Sequence, residues 1–226
     1  MKKLVVLTGA GMSAESGIST FRDSNGLWEE YDVMEVASIE GWYKNPELIL
    51  RFYNERRKQM YSCEPNKGHL LLAQMERDFD IQIITQNIDN LHEKAGSKKV
   101  LHLHGELSKA RSSSDPNLVY TIGNRDIKLG EKCEKGSQLR PFIVWFGEEV
   151  PAITTAIHMV ESADILCIIG TSLNVYPAAG LLHYAPYGCP VYLIDPNPPF
   201  DLPGNIQVIS KGAGAGVEDL ISLLTV

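Results

Sequence analysis

The feature that most constrains this chain of 226 residues is a short apolar run that leads into a glycine-rich loop. The run is Leu4-Val5-Val6-Leu7, and the loop begins with Gly9-Ala10-Gly11 and Ser13. An uninterrupted apolar run predicts a strand buried on both faces, as in a parallel sheet. Glycines let the backbone approach a ligand closely, and a helix that starts there offers free N–H groups to phosphate oxygens. The loop is therefore a candidate dinucleotide-binding loop.

The spacing of the glycines leaves two interpretations of this loop open. Gly9, Gly11 and Gly17 follow the pattern G-x-G-x5-G, whereas dehydrogenase loops follow G-x-G-x-x-G. A glycine-rich turn in any α/β protein would have the same composition. Residues 19–31 are rich in small, polar and aromatic side chains and predict a flap that closes over a ligand.

Strand and helix patterns alternate along the rest of the chain. Residues 46–60 predict a helix, because Asn45 can cap it and Pro46 suits its first turn. Further strands are predicted at 81–85, 164–169, 191–194 and 206–210, and further helices at 69–77, 152–162 and 216–224. This alternation predicts an α/β fold with a mostly parallel, Rossmann-like sheet flanked by helices. We expect one domain, with residues 1–108 and 139–226 as its Rossmann-like part and the more polar residues 109–138 as a small inserted module.

Composition and charge narrow the class of protein. The chain is 44% hydrophobic and 22% charged, which is typical of a soluble globular protein. A net charge of −7 argues against broad binding to nucleic acid or membrane surfaces. No segment has the length and apolarity of a secretory signal or a membrane span. The four scattered cysteines form no C-x-x-C pair, which favours reduced thiols, so we expect a cytoplasmic protein. Separately, we expect a monomer.

Small and amide side chains follow three of the predicted strands. They are Gln86-Asn87-Ile88-Asp89, Gly170-Thr171-Ser172 and Asp195-Pro196-Asn197. Taken alone, each is equally typical of a polar turn that caps the next helix. Because ligands of open α/β sheets bind at the carboxyl ends of the strands, the turns together predict one binding crevice.

Two histidines lie close to this predicted crevice in the sequence. His102 and His104 are two positions apart in a predicted strand at residues 100–106. On one strand they would point the same way and could bind a metal or act as bases. A single histidine on a strand is more often structural, so both interpretations stay open here.

At this point the motifs together resemble those of the sirtuin family of NAD-dependent protein-lysine deacylases. They occur in the family's order and cover nearly the whole chain. The matching motifs are Gly9-Ala10-Gly11-x-Ser13, Gly17-Ile18-x-x-Phe21-Arg22, Gln86-Asn87-Ile88-Asp89, His104-Gly105, Val144-Trp145-Phe146-Gly147-Glu148, Gly170-Thr171-Ser172 and Val175-x-Pro177.

The resemblance implies an NAD site and a reaction that releases nicotinamide and O-acyl-ADP-ribose. His104 matches the general base, which deprotonates a ribose hydroxyl, and an imidazole suits that role. Asn87 is expected to assist catalysis by drawing nicotinamide into a productive pose, while His102 has no matching role and is interpreted as structural. The residues that the resemblance assigns to NAD are Gly9, Ala10, Gly11, Ser13, Glu15, Phe21, Arg22, Trp28, Gln86, Asn87, Ile88, Asp89, Gly170, Thr171, Ser172, Asp195, Asn197 and Ala213.

The resemblance also implies a site for acyl-lysine proteins or peptides. The residues expected to pair with the substrate backbone as added strands are Val144, Phe146, Gly147, Asn174, Val175 and Tyr176. Tyr53, Arg56 and Ala37 resemble the acyl pocket of sirtuins that remove succinyl and malonyl groups, with residues 37–62 as a helical excursion over it. An arginine fork and a phenol suit a carboxylate. The alternative is that Arg56-Arg57-Lys58 is a solvated basic helix face with Tyr53 merely packed.

Two departures from the family pattern matter. Most sirtuins carry two C-x-x-C pairs that bind zinc. Here Ser112 and Asp115 replace the first pair, and Lys132 and Lys135 lie near the second, beside the single Cys133. We therefore expect no zinc. The turn at 195–197 carries an acid where the family often has an amide near the adenosine.

Other classes of protein remain alternatives. A sirtuin-type mono-ADP-ribosyltransferase would leave its label on the protein substrate, and an NAD-binding regulatory module would have no turnover. A dehydrogenase would reduce NAD, but the glycine spacing differs from the dehydrogenase pattern.

Overall fold

The structure is a computed structural model that describes residues 1–18, 31–200 and 202–225. Its strands are β1 Lys3–Thr8, β2 Asp80–Thr85, β3 Val100–His102, β4 Gly105–Ser112, β5 Val119–Thr121, β6 Leu139–Ile143, β7 Ile165–Ile169, β8 Val191–Ile194 and β9 Ile206–Ile209. Its helices are α1 Gly11–Ala14, α2 Val33–Val36, α3 Ile39–Lys44, α4 Pro46–Ser62, α5 Lys67–Met75, α6 Leu91–Ala95, α7 Ile153–Glu161 and α8 Ala213–Leu224, with a 3₁₀ segment at Ala178–Tyr184. None of the helices in these ranges has the length and apolarity needed to cross a bilayer.

The first apolar run of the chain forms the centre of a parallel sheet. The six strands are ordered β3-β2-β1-β7-β8-β9, and β1 pairs in parallel with β2 on one side and β7 on the other. The strand order reverses between β1 and β7, and in such sheets a crevice opens there at the carboxyl ends of the strands. The predicted α/β, Rossmann-like fold class is confirmed.

Alternating side chains of β1 pack into two separate hydrophobic cores. Leu4 and Val6 face a cluster that includes residues of α5 and α8, whereas Val5 and Leu7 face a cluster that includes residues of α7 and the 3₁₀ segment. All four side chains are fully buried. Because successive strand residues point to opposite faces, a run buried on both faces must lie between two helical layers.

A smaller antiparallel sheet covers the crevice from the other side. Its strand order is β5-β4-β6, and it packs with α4 around a third core that contains Phe52, Leu107 and Trp145. The sheet reaches beyond the predicted insertion at 109–138, since β4 begins at Gly105 and β6 continues to Ile143. The small sheet therefore contains residues at 105–108 and 139–143 that were predicted to belong to the Rossmann-like part.

The structure confirms the helix predicted at residues 46–60 but not the strand predicted at residues 100–106. The helix predicted at 46–60 is α4, and Asn45 caps it by accepting a hydrogen bond from the N–H of Leu48 at 3.1 Å. The prediction of one strand across residues 100–106 is wrong, because β3 ends at His102 and His104 lies in a bend before β4. Gly105 has a φ of +85°, a left-handed conformation that turns the chain from the parallel sheet into the antiparallel one.

Candidate active site

A cavity of about 650 Å³ lies at the carboxyl ends of the parallel strands, between the large sheet and α4 with the small sheet. The residues predicted for NAD that line it are Gly9, Ala10, Gly11, Ser13, Glu15, Gln86, Asn87, Ile88, Asp89, Gly170, Thr171, Ser172, Asp195 and Asn197. His104 and the residues predicted for the substrate also line it, namely Ala37, Tyr53, Arg56, Val144, Phe146, Gly147, Val175 and Tyr176. Among the predicted residues that the structure describes, Asn174 and Ala213 do not line the cavity, although Gly212 does. Phe21, Arg22 and Trp28 lie outside the described residues.

The glycine loop is shaped by the close crossing of the segments that follow β1 and β7. The N–H of Gly9 donates to the carbonyl of Ile169 at 3.0 Å, and that of Gly11 donates to the carbonyl of Gly170 at 2.9 Å. A Cβ on Gly9 would lie 2.8 Å from the carbonyl oxygen of Gly170, which is a collision. Glycine at this position therefore lets two backbones meet at the floor of the cavity.

Asn87, Ser13 and Asp89 form a hydrogen-bonded cluster above this loop. The Asn87 amide nitrogen donates to the carbonyl of Gly9 at 3.0 Å and to Ser13 Oγ at 3.1 Å, and Ser13 Oγ donates to Asp89 Oδ2 at 2.9 Å. Both amide hydrogens of Asn87 are thus used within the protein, so Oδ1 is the polar atom of that side chain left to accept a bond from a ligand. Burial raises the pKa of Asp89, although hydrogen bonds from the N–H of Leu91 and from Ser13 oppose that effect.

The tautomer of His104 follows from the hydrogen-bond partner of its Nδ1. Nδ1 lies 3.0 Å from the carbonyl oxygen of Gln86, which can only accept, so Nδ1 carries the hydrogen. In the neutral ring Nε2 is therefore the basic atom, on a residue that lines the cavity. Burial lowers the pKa of His104 despite the hydrogen bond to Gln86, which keeps the ring neutral and able to accept a proton near pH 7.

His102 has a different environment from His104. Its Nδ1 lies 3.0 Å from the carbonyl oxygen of Asn87, and its Nε2 lies 2.8 Å from Glu93 Oε1. Burial disfavours the charged ring, but the hydrogen bond and the charge of Glu93 outweigh it and raise the pKa of His102. Since both partners only accept hydrogen bonds, the protonated ring holds the two segments together, and this supports the structural interpretation of His102.

The far end of the cavity is formed by α4. Tyr53 is 2% exposed and Arg56 is 7% exposed. The Nε1–H of Trp145 donates to the phenol oxygen of Tyr53 at 2.9 Å, so the phenol keeps its own hydrogen to give to another acceptor. Burial raises the pKa of Tyr53 to about 12 and lowers the pKa of Arg56. An anionic ligand beside Arg56 would favour its charged form.

The alternative that residues 56–58 form a solvated basic face is wrong for its two arginines. Arg57 is fully buried, where its Nε donates to the carbonyl of Leu107 at 2.6 Å and its Nη1 donates to Asn54 Oδ1 at 2.7 Å. Of the three side chains, Lys58 is the exposed one and pairs with Asp126. Arg57 thus joins α4 to the small sheet, while Arg56 lines the cavity.

The loop at residues 144–148 is held by a buried ion pair that the sequence analysis did not identify. Arg140 is 3% exposed, donates to both carboxylate oxygens of Glu148 at 2.8 Å and lies 3.5 Å from the centre of the Trp145 ring. The N–H of Phe146 donates to the carbonyl of Ala37 at 2.9 Å, which joins this loop to the segment before α3. No local signal in the sequence points to Arg140, because its partners follow later in the chain and meet it through packing.

The corner where the family pattern has zinc ligands is filled by other side chains. Cys133 Sγ lies 3.2 Å from Ser137 Oγ and 3.6 Å from Ser112 Oγ, and Lys135 pairs with Asp115 at 2.7 Å. The described part of the chain has no group of three or more His, Cys, Asp and Glu residues that could hold a metal ion. Hydroxyls and an ammonium group are not the thiolate donors that a structural zinc site needs, so these residues do not fit a zinc ion.

The fold and the cavity define a Rossmann-type nucleotide-binding protein with its site at the switch point of the sheet. Residues 9–177 match the model of the Sir2 family, and the chain belongs to that family. The prediction from the sequence motifs that this chain is a sirtuin is confirmed at the level of the family.

Similar proteins with curated names span the whole chain. An NAD-dependent protein deacylase of Bacteroides thetaiotaomicron is 59% identical, over 99% of this chain and 98% of that protein. One of Helicobacter pylori is 54% identical, again over 99% of this chain and 98% of that protein.

Solved structures of Sir2 proteins have the same fold. A Sir2 homologue in complex with NAD is 39% identical, with a TM-score of 0.89 over 99% of this chain and 90% of that one. A Sir2 protein in complex with a deacetylated peptide and 3'-O-acetyl-ADP-ribose is 33% identical, with a TM-score of 0.83 over 97% of this chain and 92% of that one.

Proposed function

We propose that this chain is an NAD-dependent protein-lysine deacylase that releases nicotinamide and O-acyl-ADP-ribose. The observation that carries the proposal is His104, whose Nδ1 is bound to a backbone carbonyl and whose Nε2 is basic, on the wall of a cavity between a glycine loop and a substrate loop. The deacylase names of relatives at 59% and 54% identity support it.

The residues around the glycine loop fit NAD. Gly9 and Gly11 keep the floor of the cavity free of side chains, so backbone can approach a pyrophosphate there. Thr171, Ser172 and Asn197 offer hydrogen-bonding groups along the adjoining wall for the adenosine half. When bound, NAD supplies the ribose carbon that takes up the acyl oxygen as nicotinamide departs.

The chain's own groups provide binding, orientation and proton transfer. Asn87 Oδ1 accepts a hydrogen bond from a carboxamide, because its amide hydrogens are held by Gly9 and Ser13. His104 takes a proton from a hydroxyl at Nε2, and its Nδ1–H stays on the carbonyl of Gln86, which stabilises the imidazolium that forms. Gln86 is itself held by a hydrogen bond from its side chain to Thr171 Oγ1 at 3.2 Å.

We further propose that the substrate is an acyl-lysine in a protein or peptide that adds a strand to the cavity rim. Phe146 and Tyr176 are 43% and 72% exposed, and both line the cavity. Phe146 is held in an extended pairing with the segment at Ser38. An exposed extended loop of this kind suits main-chain pairing with a peptide.

The acyl group that we propose is acidic, namely succinyl, malonyl or glutaryl. Tyr53 and Arg56 lie one helical turn apart on α4 and both line the cavity, and a phenol and a guanidinium together suit a carboxylate. Ala37 leaves space for a chain longer than acetyl, and Met60 and Leu107 add apolar surface for its methylene groups. We expect some activity on acetyl-lysine to remain.

A panel of peptides that differ only in the lysine acyl group tests the proposal. Incubation with NAD and mass spectrometry should show nicotinamide, free lysine peptide and O-acyl-ADP-ribose, with the fastest turnover on an acidic acyl group. A peptide that carries ADP-ribose would show the mono-ADP-ribosyltransferase instead. NAD binding without turnover on any peptide would identify a regulatory module.

A further inference from the structure

Two buried histidines lie behind the wall of the cavity, and the proposed mechanism does not use them. His69 on α5 is fully buried and His92 on α6 is 2% exposed. Their rings meet edge to face, with centroids 4.8 Å apart. In the described part of the chain, His69 Nε2 and His92 Nδ1 are buried atoms without a hydrogen-bond partner. Buried polar atoms of this kind need an explanation.

The partners of these rings determine which nitrogen carries each hydrogen. The N–H of Asn66 donates to His69 Nδ1 at 3.3 Å, so the hydrogen of a neutral His69 is on Nε2. His92 Nε2 lies 3.2 Å from Thr8 Oγ1, whose own hydrogen is donated to Thr85 Oγ1 at 2.8 Å. The hydrogen of His92 is therefore on Nε2 as well. His69 has a donor left over and His92 an acceptor, on rings that touch.

A continuous set of hydrogen bonds joins His92 to the backbone of Asn87, which lines the cavity. Thr8 and Thr85 are the last residues of β1 and β2 and lie side by side in the register of the sheet. Thr85 Oγ1 also accepts from the backbone N–H of Asn87 at 3.0 Å. The path from His92 through Thr8 and Thr85 thus ends on the residue that we propose to receive nicotinamide. All of its side chains are buried.

We infer that His92 is a positioning residue that holds the backbone of Asn87 through Thr8 and Thr85, with the ring of His69 packed edge to face against it. The role of this path in binding nicotinamide rests on the proposed function, but the hydrogen bonds themselves can be tested without enzyme turnover. His92 works as a neutral donor here, because a hydroxyl that already donates to Thr85 can only accept from it.

The environment of the two rings favours their neutral forms. Burial lowers the pKa of His69 to about 4, against a smaller opposing effect of Glu93. Burial, with the nearby His69 and His102, lowers the pKa of His92 well below its ordinary value. Both rings therefore keep one hydrogen and one lone pair each near pH 7, as the path requires.

The first experiment reads the tautomers in the protein at pH 7. Long-range proton–nitrogen correlation spectra of protein labelled with ¹⁵N-histidine should show His69 and His92 as neutral Nε2–H tautomers. His104 should show the opposite, Nδ1–H tautomer, and it serves as an internal comparison. A His92 signal that is charged or of the Nδ1–H type would overturn the inference, whatever the enzyme activity.

The second experiment uses matched variants of Thr8 and His92. Thr8→Val removes the hydroxyl at constant shape, and Thr8→Ser keeps it. His92→Leu removes the donor, whereas the amide nitrogen of Gln in His92→Gln replaces Nε2. The assay follows the exchange of labelled nicotinamide into NAD in the presence of an acyl peptide. In this assay Thr8→Val and His92→Leu should each raise the KM for nicotinamide about fivefold, which is the effect expected of one lost hydrogen bond. Thr8→Ser and His92→Gln should restore most of the loss.

A structural control separates positioning from general stability. Ser97→Ala removes another buried hydroxyl that is outside the path, and it should leave the KM for nicotinamide unchanged. If Thr8→Val and His92→Leu lower the Tm but leave this KM at the wild-type value, the inference is wrong. If wild-type protein gives no exchange with any acyl peptide, the proposed function is wrong. The inference is then still tested by the histidine tautomers and by the change in the NMR chemical shift of the Asn87 amide in Thr8→Val.

Discussion

The chemistry of the cavity depends on where a few hydrogen atoms reside. His104 carries its hydrogen on Nδ1, and the phenol oxygen of Tyr53 accepts from Trp145, so its own hydrogen is available. Asn87 has both amide hydrogens bound within the protein. Each side chain thus presents one defined donor or acceptor to a ligand, and this preorganisation is what a polar site contributes to specificity.

Replacement of His104 by alanine should abolish deacylation while NAD still binds. Loss of a general base lowers a rate by about a hundredfold to ten-thousandfold. Single-turnover rates on the best acyl peptide and calorimetric NAD titrations would measure the two effects separately. Near-normal turnover in the variant would remove His104 from its proposed role.

Replacement of Arg56 by methionine should separate acidic from neutral acyl groups. A hydrogen bond to a charged group is worth about 1.5–3 kcal/mol, so kcat/KM for succinyl-lysine should fall about ten- to a hundredfold. Deacetylation should change little, because an acetyl group has no carboxylate. Arg51→Met is the matched control, since Arg51 is exposed on the same helix. Equal losses of both activities in the Arg56 variant would mean that Arg56 shapes the protein in general.

Helix α4 lies between the cavity and the small antiparallel sheet. One of its faces presents Tyr53 and Arg56 to the cavity, and Arg57 binds the carbonyl of Leu107 in the small sheet. The position of the acyl end of the cavity therefore depends on how the small sheet is held. In this chain the corner of that sheet is closed by the cluster around Cys133 and by the pair of Lys135 with Asp115.

The purified protein should contain no stoichiometric zinc. One thiol hydrogen-bonded to serine hydroxyls cannot replace four thiolates. Elemental analysis should find far less than one zinc per chain, and a chelator should not alter deacylation. Cys133→Ser should keep both activity and Tm, since a hydroxyl can take the place of the thiol among Ser112 and Ser137. One zinc per chain together with activity lost to a chelator would contradict this prediction.

At the scale of the whole molecule, the cavity lies where the parallel sheet meets α4 and the small sheet, next to the reversal of strand order between β1 and β7. The parallel sheet supplies the glycine loop and the amide cluster, and α4 with the small sheet supplies the acyl end. The polar side chains of Ser13, Asn87 and Asp89 at this junction are buried, as are the two neutral histidines, His69 and His92. Stability and the integrity of the site should therefore respond to pH together.

Acid should destabilise the fold before most carboxylates are protonated. His69 has a folded-state pKa of about 4, below its ordinary value of 6.5, and the pKa of His92 is also lowered. The unfolded chain binds these protons and the folded one does not. The stabilisation is therefore complete above pH 6.5 and is lost as pH falls from there toward 4, by up to about 3 kcal/mol for His69.

Urea unfolding at a series of pH values between 7 and 4.5 would measure this loss. The free energy of unfolding should fall through that range, and the fall should be smaller in His69→Gln, which has one titrating group fewer. An equal fall in wild-type protein and in His69→Gln would contradict neutral burial of His69.

Local patterns in the chain were sufficient to predict five of the six strands of the parallel sheet, the cap of α4 and the glycine loop. These features are encoded locally, since a buried strand needs an apolar run and a tight crossing needs glycine. Most of the cavity residues were instead predicted from the resemblance of the motifs to the sirtuin family. The clustering of the strand-end turns was predictable too, because parallel strands end at one edge of the sheet.

Other features follow from contacts between segments that are far apart in the chain. The bend at His104 arises where the chain leaves one sheet for another, and a strand pattern at 100–106 does not reveal it. The burial of Arg57 depends on Leu107, and the path from His92 to Asn87 depends on the pairing of β1 with β2. A buried polar group is stable only if its partners are already in place, and those partners are brought together by the packed fold.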